Sequence, residues 1–440
     1  MSKVLYITLG CAKNEVDTDR MRALLTGAGY GEASSVDEAD VAIVNTCSFL
    51  ASATSESIEC TLTLAEEAVE GARSLPIVMC GCVPSRYGDD LPSELPEVAA
   101  FVRHDEEDGI VEVVDRVLGR GAQVHGEEPS VLRTVEAASA FVKISDGCDR
   151  YCTFCAIPYI RGRYASRPAS EILSEVDMLM AGGVREVVLI GQDTGVWGHD
   201  LDGAPTLADL LRDVADHVRP YHGWVRVLYL QPEGMTDELI SVIRDVDEVL
   251  PYIDIPVQHC STPVLHAMAR RGSAESYLEL FERLRREIPG MALRSTAMVG
   301  FPGETDEQFD ELMDFVERAE LDYCSVFAYS PEEGTRAAEL PNQVSDDVKA
   351  DRNQQMVDLC EQMGFSATAA HVGEEVDVII DGIEEGEDGP ELVGHTWFQA
   401  PDSDGVVHIE EGEASVGDMV RVRLVDSFCY ELVGTIVEGR

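Results

Sequence analysis

Positive charge is what this chain of 440 residues has least of: 33 Lys and Arg stand against 83 Asp and Glu, a net charge of −50. That balance excludes a role in coating nucleic acid through bulk charge, and the field favours cationic partners instead. Long apolar runs are missing as well. No window approaches the roughly 20 residues needed to cross a bilayer, so the expectation is a soluble, cytoplasmic protein with no membrane contact. The chain carries no low-complexity tract and no repeat of roughly 20 to 50 residues, which excludes a repeat architecture. What is present looks globular: 45% hydrophobic and 26% charged residues exclude wholesale disorder, and the length calls for two to four domains. Cysteine is plentiful. Twelve of them in a reducing compartment suggest metal or catalysis before disulfides.

Three stretches differ in pattern. The first sets apolar strands Val4–Leu9, Val41–Thr46 and Ile77–Met79 between helical-length segments such as Asp17–Ala28, which reads as an open parallel α/β sheet. Residues 119–138 turn polar and small, a linker between domains. The second stretch, 139–368, repeats strand and helix about six times, with strands at Phe141–Ile144, Glu186–Ile190, Trp224–Leu230, Tyr252–Val257, Ala292–Val299 and Tyr323–Ala328. That pattern suits a TIM-like βα barrel with its active residues where strands end. After a helical run from Ser345 to Ala370, five short strands between Val376 and Val437 predict a small antiparallel β-barrel over 369–440. From His371 onward this part has 3 Arg, no Lys and 18 acidic residues, a net −15, where a nucleic-acid barrel would be basic.

Cys148, Cys152 and Cys155 (CDRYCTFC) follow the first strand of the second stretch as a C-x3-C-x2-C loop. Three thiolates so spaced can hold three irons of a cubane and leave the fourth open to a reactant. A zinc loop short of one ligand and the stripe of a buried helix are the alternatives, and the surrounding Asp146, Asp149 and Arg150 count against the helix. Cys11, Cys47 and Cys82 each fall just after an apolar strand of the first stretch. Carboxyl ends of parallel strands face one crevice, so these three can converge into a second cluster site, although each taken singly reads as a packed core thiol. Cys80, two residues from Cys82, is the less favoured third ligand.

The C-x3-C-x2-C loop with Phe154 before its last Cys resembles the radical S-adenosylmethionine (radical SAM) enzymes. Joined to the first triad and a carboxyl-terminal five-strand barrel, it resembles the radical SAM methylthiotransferases over nearly the whole chain, with an amino-terminal methylthiotransferase domain at 1–118, a radical SAM barrel and a TRAM domain. The words ISDGCDRYCTFCAIPYIRG, DIPVQH, VGFPGET and FAYSPEEGT look like the branch that modifies an aspartate of a ribosomal protein. The resemblance implies two 4Fe-4S clusters, one on Cys148, Cys152 and Cys155 and an auxiliary one on Cys11, Cys47 and Cys82, with S-adenosyl-L-methionine chelated to the open iron. Cleavage of the cofactor then yields a 5′-deoxyadenosyl radical that removes a hydrogen from the aspartate β-carbon, where the methylthio group adds. An unactivated C–H bond offers no acidic proton, so no catalytic side chain beyond the cluster ligands is expected.

Cofactor contacts are expected from Phe154 near the adenine, and from Gln192, Gln258, Arg294 and the Gly300–Glu304 turn with Gly303, all placed near strand ends; a structural role is the alternative for each. Arg161, Arg163 and Arg167 form a basic island whose guanidinium forks could grip the cofactor carboxylate or the target aspartate, or simply balance neighbouring acids. The implied partners are a basic ribosomal protein, the twelfth of the small subunit, a reductase or flavodoxin-type electron donor, and a sulfur donor. The sister branch acts on an adenosine of transfer RNA, and a −15 barrel would repel that substrate while steering a basic protein. A non-catalytic iron-sulfur carrier is the remaining alternative.

Overall fold

The structure is a computed structural model that describes residues 1–71, 74–121, 133, 135, 137–386 and 389–437. Most of the linker expected at 119–138 lies outside the described residues.

The amino-terminal unit is built on β1 (Lys3–Thr8), β2 (Gly31–Glu32), β3 (Val41–Thr46), β4 (Ile77–Gly81) and β5 (Val98–Arg103), all parallel in the order β2-β1-β3-β4-β5. Every residue of β3 and β4 is buried, because α1 (Ala12–Gly27), α2 (Ala51–Glu70), α3 (Cys82–Tyr87), α4 (Leu91–Glu94) and α5 (Ile110–Val117) cover the sheet. The sequence reading missed β2, of two residues, and β5, a partly exposed edge strand. It also began α1 five residues late. The cap of α1 is Cys11, whose side chain makes no capping bond, so the usual start signal is missing.

The central unit opens with β6 (Ser139–Lys143), β7 (Ser145–Asp146), α6 (Ile157–Ile160), β8 (Ala165–Ser166) and α7 (Ala169–Ala181). It continues through β9 (Glu186–Ile190), α8 (Leu207–Val218), β10 (Trp224–Val227), α9 (Asp237–Asp245), β11 (Tyr252–Gln258), α10 (Thr262–Ala267) and α11 (Ala274–Glu287). The last elements are β12 (Ala292–Val299), α12 (Asp306–Ala319), β13 (Tyr323–Ala328) and α13 (Asp346–Ala370). Two parallel three-stranded sheets, β6-β9-β10 and β11-β12-β13, meet through the Val225–Val249 bridge to make a partial barrel of six strands. Helices α8, α11 and α12 start on reciprocal capping boxes at Thr206, Ser273 and Thr305, and Thr236 caps α9. Between β6 and α13, apolar faces of strands and helices form the largest core.

The carboxyl-terminal unit is a closed barrel of β14 (Glu375–Gly386), β15 (Gly389–Thr396), β16 (Val407–Glu411), β17 (Met419–Ser427) and β18 (Leu432–Ile436). The expected antiparallel barrel is corrected at one pair, since β16 and β18 run parallel. An odd number of strands closed on itself cannot alternate direction throughout, so one parallel pair is required. This unit is docked under the central barrel. Residues after β15 enter at the amino-terminal ends of the strands, where buried Arg226 donates to Glu186 (2.7 Å) and to the carbonyls of Trp397 (2.9 Å) and Thr396 (3.4 Å). His395 lies between Glu186 and Asp381, 2.6 Å from each. Burial alone would lower the His395 pKa; the two carboxylates overcome it and raise the value to about 9. At the opposite end, Glu332 of the FAYSPEEGT segment joins the barrel to the amino-terminal unit, accepting from Ala51 N (3.0 Å) and Arg86 (3.2 Å).

Candidate active site

The order β2-β1-β3-β4-β5 reverses direction between β1 and β3, and ligands of such sheets bind outside the carboxyl ends of the strands at that point. Cys11 follows β1 as the cap of α1, Cys47 follows β3, and Cys82 opens α3 directly after β4. Two buried asparagines hold these loops together. Asn14 donates to the Thr46 carbonyl (2.8 Å), and Asn45 returns bonds to the Asn14 carbonyl (2.9 Å) and Thr18 Oγ1 (3.0 Å). Gly10 allows the approach: its φ is +107°, and a Cβ there would come within 2.6 Å of Cys47 Cβ. Cys80 packs in the sheet core with Val78 and Val102.

Burial raises the Cys47 pKa, with N–H groups of Phe49 and Ser48 pulling the other way, and the thiols of Cys11 and Cys82 are close enough to act on one another. Burial pushes the Cys82 thiol up to about 11 against the opposing pull of Arg161. The Cys47 and Cys82 thiols are therefore protonated when no metal is bound, and loading metal on them must release protons. Among the described residues no group of three or more His, Cys, Asp or Glu side chains is arranged to hold a single metal ion. The donor set of this triad, thiols on three separate loops, matches the chemistry of a polynuclear iron-sulfur centre.

The second triad occupies the loop between β7 and β8, which pair at Ser145–Ser166 and Asp146–Ala165 and close its base. Gly147 has φ +69°, and a Cβ on it would lie 2.1 Å from the Arg163 carbonyl oxygen, so only glycine fits where the loop turns. Cys148 N donates to the Gly162 carbonyl (3.2 Å), and Thr153 ties the loop to the barrel through Met268 O (3.0 Å) and Ala267 O (2.8 Å). Burial pushes Cys155 up to about 12, opposed by the Ile157 N–H; burial likewise raises Cys148, opposed by the Arg150 N–H. The three thiols are half-buried. Beside Cys152 lies a cavity of about 760 Å³, walled by Asp193, Gln231, Glu233 and Arg270.

The expected cofactor residues divide. Phe154 packs half-buried beside Val264, Met268 and Phe301. Gln192 follows β9 and donates to Asp146 (3.4 Å), while its Oε1 and the neighbouring Asp193 Oδ1 are buried acceptors without a partner among the described residues. Two such acceptors at the carboxyl end of a strand suit the ammonium group of S-adenosylmethionine. Gln258 ends β11 at φ +70° after a register shift, and Gly303, φ +85°, has open space where a side chain would be. Glu304 fastens its turn through Gly300 N (2.9 Å) and Arg352 (2.7 Å), and lies 3.5 Å from His259.

Arg294 requires correction. It is the third residue of β12, near the strand's beginning, and its guanidinium is committed to Asp254 (3.3 Å), Ser325 (2.8 Å) and Asp404 of the docked barrel (3.1 Å). Strand identity was readable, but the depth of Arg294 along the barrel depended on which partner entered from below. Of the two readings of the basic island, balance of neighbouring acids is the one seen: all three arginines are engaged within the chain. Arg163 pairs with exposed Asp149 (2.7 Å), Arg167 with Glu175 (2.7 Å), and Arg161 is buried among Asp17 (3.1 Å), Asp146 (3.1 Å), Asn14 (3.3 Å) and the Cys82 sulfur (3.8 Å). Sequence reasoning missed Lys13, Lys143 and Asp17. Lys13 is buried with its ammonium 3.8 Å from the centre of the Tyr229 ring, and Lys143 binds Asp17 and Asp146. The only sequence signal was their nearness to Cys11 and Cys148, which carries no information about contact across a domain boundary.

No described helix is long and apolar enough to cross a membrane. Family models match in three consecutive pieces: the uncharacterized protein family UPF0004 at residues 3–103, the radical SAM superfamily at 142–316 and the TRAM domain at 372–437. The second piece contains the C-x3-C-x2-C loop, and the superfamily uses S-adenosylmethionine with a 4Fe-4S cluster. Among solved structures, the radical S-adenosylmethionine methyltransferase TsrM from Kitasatospora setae shares the fold with a TM-score of 0.56 at 15% identity, over 74% of this chain and 73% of that one. Curated relatives named "Ribosomal protein uS12 methylthiotransferase RimO" match from end to end. That of Geobacter sulfurreducens is 42% identical over 99% of this chain and 98% of its own length, and that of Synechococcus sp. (strain WH7803) is 40% identical over 99% and 93%. At about 40% identity from end to end, with the radical SAM and TRAM models matched in consecutive pieces, the chain belongs to the RimO family of radical SAM methylthiotransferases.

Proposed function

We propose that this enzyme adds a methylthio group to the β-carbon of an aspartate in ribosomal protein uS12, the twelfth protein of the small subunit. The observation that carries the reading is the seam itself: Arg161 links the Cys82 loop to Asp146 at the base of the C-x3-C-x2-C loop, so both triads face one site. In this reading residues 1–118 form the methylthiotransferase domain, 119–138 the linker, 139–368 the radical SAM domain and 369–440 the TRAM domain. Cys148, Cys152 and Cys155 hold one 4Fe-4S cluster, and Cys11, Cys47 and Cys82 hold the auxiliary one. When bound, the first cluster and S-adenosylmethionine would supply a radical able to take hydrogen from an unactivated carbon, and the auxiliary cluster would carry the sulfur to be transferred.

The chain's own residues bind and orient. Gln192 Oε1 and Asp193 Oδ1 accept from the cofactor ammonium, Phe154 packs beside the adenine, and the open space at Gly303 lets backbone approach it. Gln258, the positive-φ last residue of β11, lies at the same end of the barrel. The lower end is closed by the docked barrel, with Trp397 and Phe398 among the residues that keep water from entering there. Electrons come from a reductase or flavodoxin-type donor and sulfur from a separate donor. The cytoplasm, where ribosomal proteins reside, is the compartment.

The acidic carboxyl-terminal barrel suits a basic ribosomal protein and repels transfer RNA, the substrate of the sister branch. The test is mass spectrometry after an anaerobic reaction of reconstituted enzyme, reductant and S-adenosylmethionine, offered both uS12 and transfer RNA. A gain of one methylthio group on an aspartate of uS12 is the expected result. The same gain on an adenosine would overturn the substrate assignment, and cofactor cleavage without either would reject both substrates.

A further inference from the structure

Arg161 has four partners and none is solvent. Its side chain is 2% exposed; one arm of the guanidinium reaches Asp146, and the other reaches Asp17, Asn14 and the sulfur of Cys82 at 3.8 Å. Arg161 and Asp146 belong to the barrel and the other three to the amino-terminal unit, so the residue crosses the boundary. Lys143 completes a quartet with Asp17 and Asp146, two cations with two carboxylates. Because that quartet is neutral in sum, what Cys82 senses is local: an N–H dipole and the near end of a guanidinium, in a setting where water does not screen them.

A thiolate that accepts a hydrogen bond donates less charge to its iron, and a cluster gains negative charge on reduction, so hydrogen bonds to the ligating sulfurs favour the reduced form. We propose that Arg161 is a positioning residue of the auxiliary site: it fixes the Cys82 sulfur against the radical SAM loop and raises the reduction potential of the cluster that Cys11, Cys47 and Cys82 hold. The proposal rests on the reading of that triad as a cluster site. The step involved is a one-electron reduction in which dithionite supplies the electron and the cluster accepts it, with no bond made or broken.

The experiment uses the full chain with Cys148, Cys152 and Cys155 replaced by Ala, reconstituted anaerobically so that only the auxiliary cluster forms, and follows iron content and an electron paramagnetic resonance redox titration. In that background Arg161→Met is expected to leave about tenfold less cluster reduced at a given potential, equivalent to about 59 mV for a one-electron couple. Arg161→Lys, which keeps the charge and loses the fork, is expected to fall between. Identical midpoints for Met, Lys and Arg at full iron content would overturn the proposal, since a merely structural contact would not move the potential. If the Met variant fails to fold or to hold iron, the Lys variant decides: a lowered midpoint supports the proposal and an unchanged one overturns it. Failure of the Arg161 background itself to bind a cluster would instead overturn the reading of the triad, an outcome distinct from an unmoved midpoint.

Discussion

The two cysteine triads occupy the same seam and are made in opposite ways. Cys148, Cys152 and Cys155 come from one loop, pinched at its base by the β7–β8 pair, and their spacing is a property of local sequence. Cys11, Cys47 and Cys82 come from three strand ends and meet only because β1, β3 and β4 are neighbours in the sheet. A local triad is perturbed chiefly by changing its own loop or the few barrel contacts that Thr153 and Phe154 make. A dispersed one inherits every weakness of the sheet that assembles it, which is why buried Asn14 and Asn45 cross-link its loops.

The sharpest way to separate the two triads is to remove one ligand from each. Cys152→Ala is expected to abolish 5′-deoxyadenosine formation, whereas Cys47→Ala abolishes sulfur insertion and retains cofactor cleavage; equal loss of both activities in both variants would break the division of labour. Next come the two glycines that admit the thiols. Gly10→Ala forces a side chain against Cys47 and Gly147→Ala forces one into the Arg163 carbonyl, each with strain of about 1–3 kcal/mol before any clash. Each variant should lose about half of the reconstituted iron, the first from the dispersed triad and the second from the local one, as read by iron analysis and spectra.

A smaller effect lies at the lower seam, far from both triads. The His395 pKa rises to about 9 from an ordinary 6.5, so its contribution to docking is complete below 6.5 and is lost as pH climbs through about 9, on the order of 3 kcal/mol in all. Glu186, held down to about 2 despite its burial, contributes above its ordinary 4.5 and fails only near pH 2. Thermal unfolding of the full chain should therefore weaken between pH 7 and 9.5 in the parent and show less of this slope in His395→Gln; identical slopes would show that the imidazole does not hold the docked barrel. The smallest effect belongs to Arg163→Ala. Its pair with Asp149 is exposed, and neither iron content nor melting temperature should change measurably.

How much was legible follows the same division. The six barrel strands were readable because each is an apolar-rich run between helices with ordinary start signals, Thr236 among them, even β13, where only Tyr323 is buried. α1 was misplaced at its start because a thiol occupies its cap, and β2 and β5 were missed because a two-residue strand and a half-exposed edge carry no clear period. The arginines were visible as an island, but their engagement was not. A guanidinium looks the same in sequence whether it waits for a ligand or is buried on two carboxylates, and Arg161 and Arg294 are the latter because units distant along the chain close over them.

By itself, then, the sequence determined the alternation of strands and helices, the acidic surface and the C-x3-C-x2-C loop, all set by spacings within a few residues. Tertiary structure alone decided that Asp17, Arg161 and Cys82 meet, that Arg294 faces the docked barrel rather than the upper end, and that His395 lies between two carboxylates. The physical reason is that these are contacts between side chains far apart in sequence, whose strength comes from shared burial, and burial exists only once the units have closed on one another.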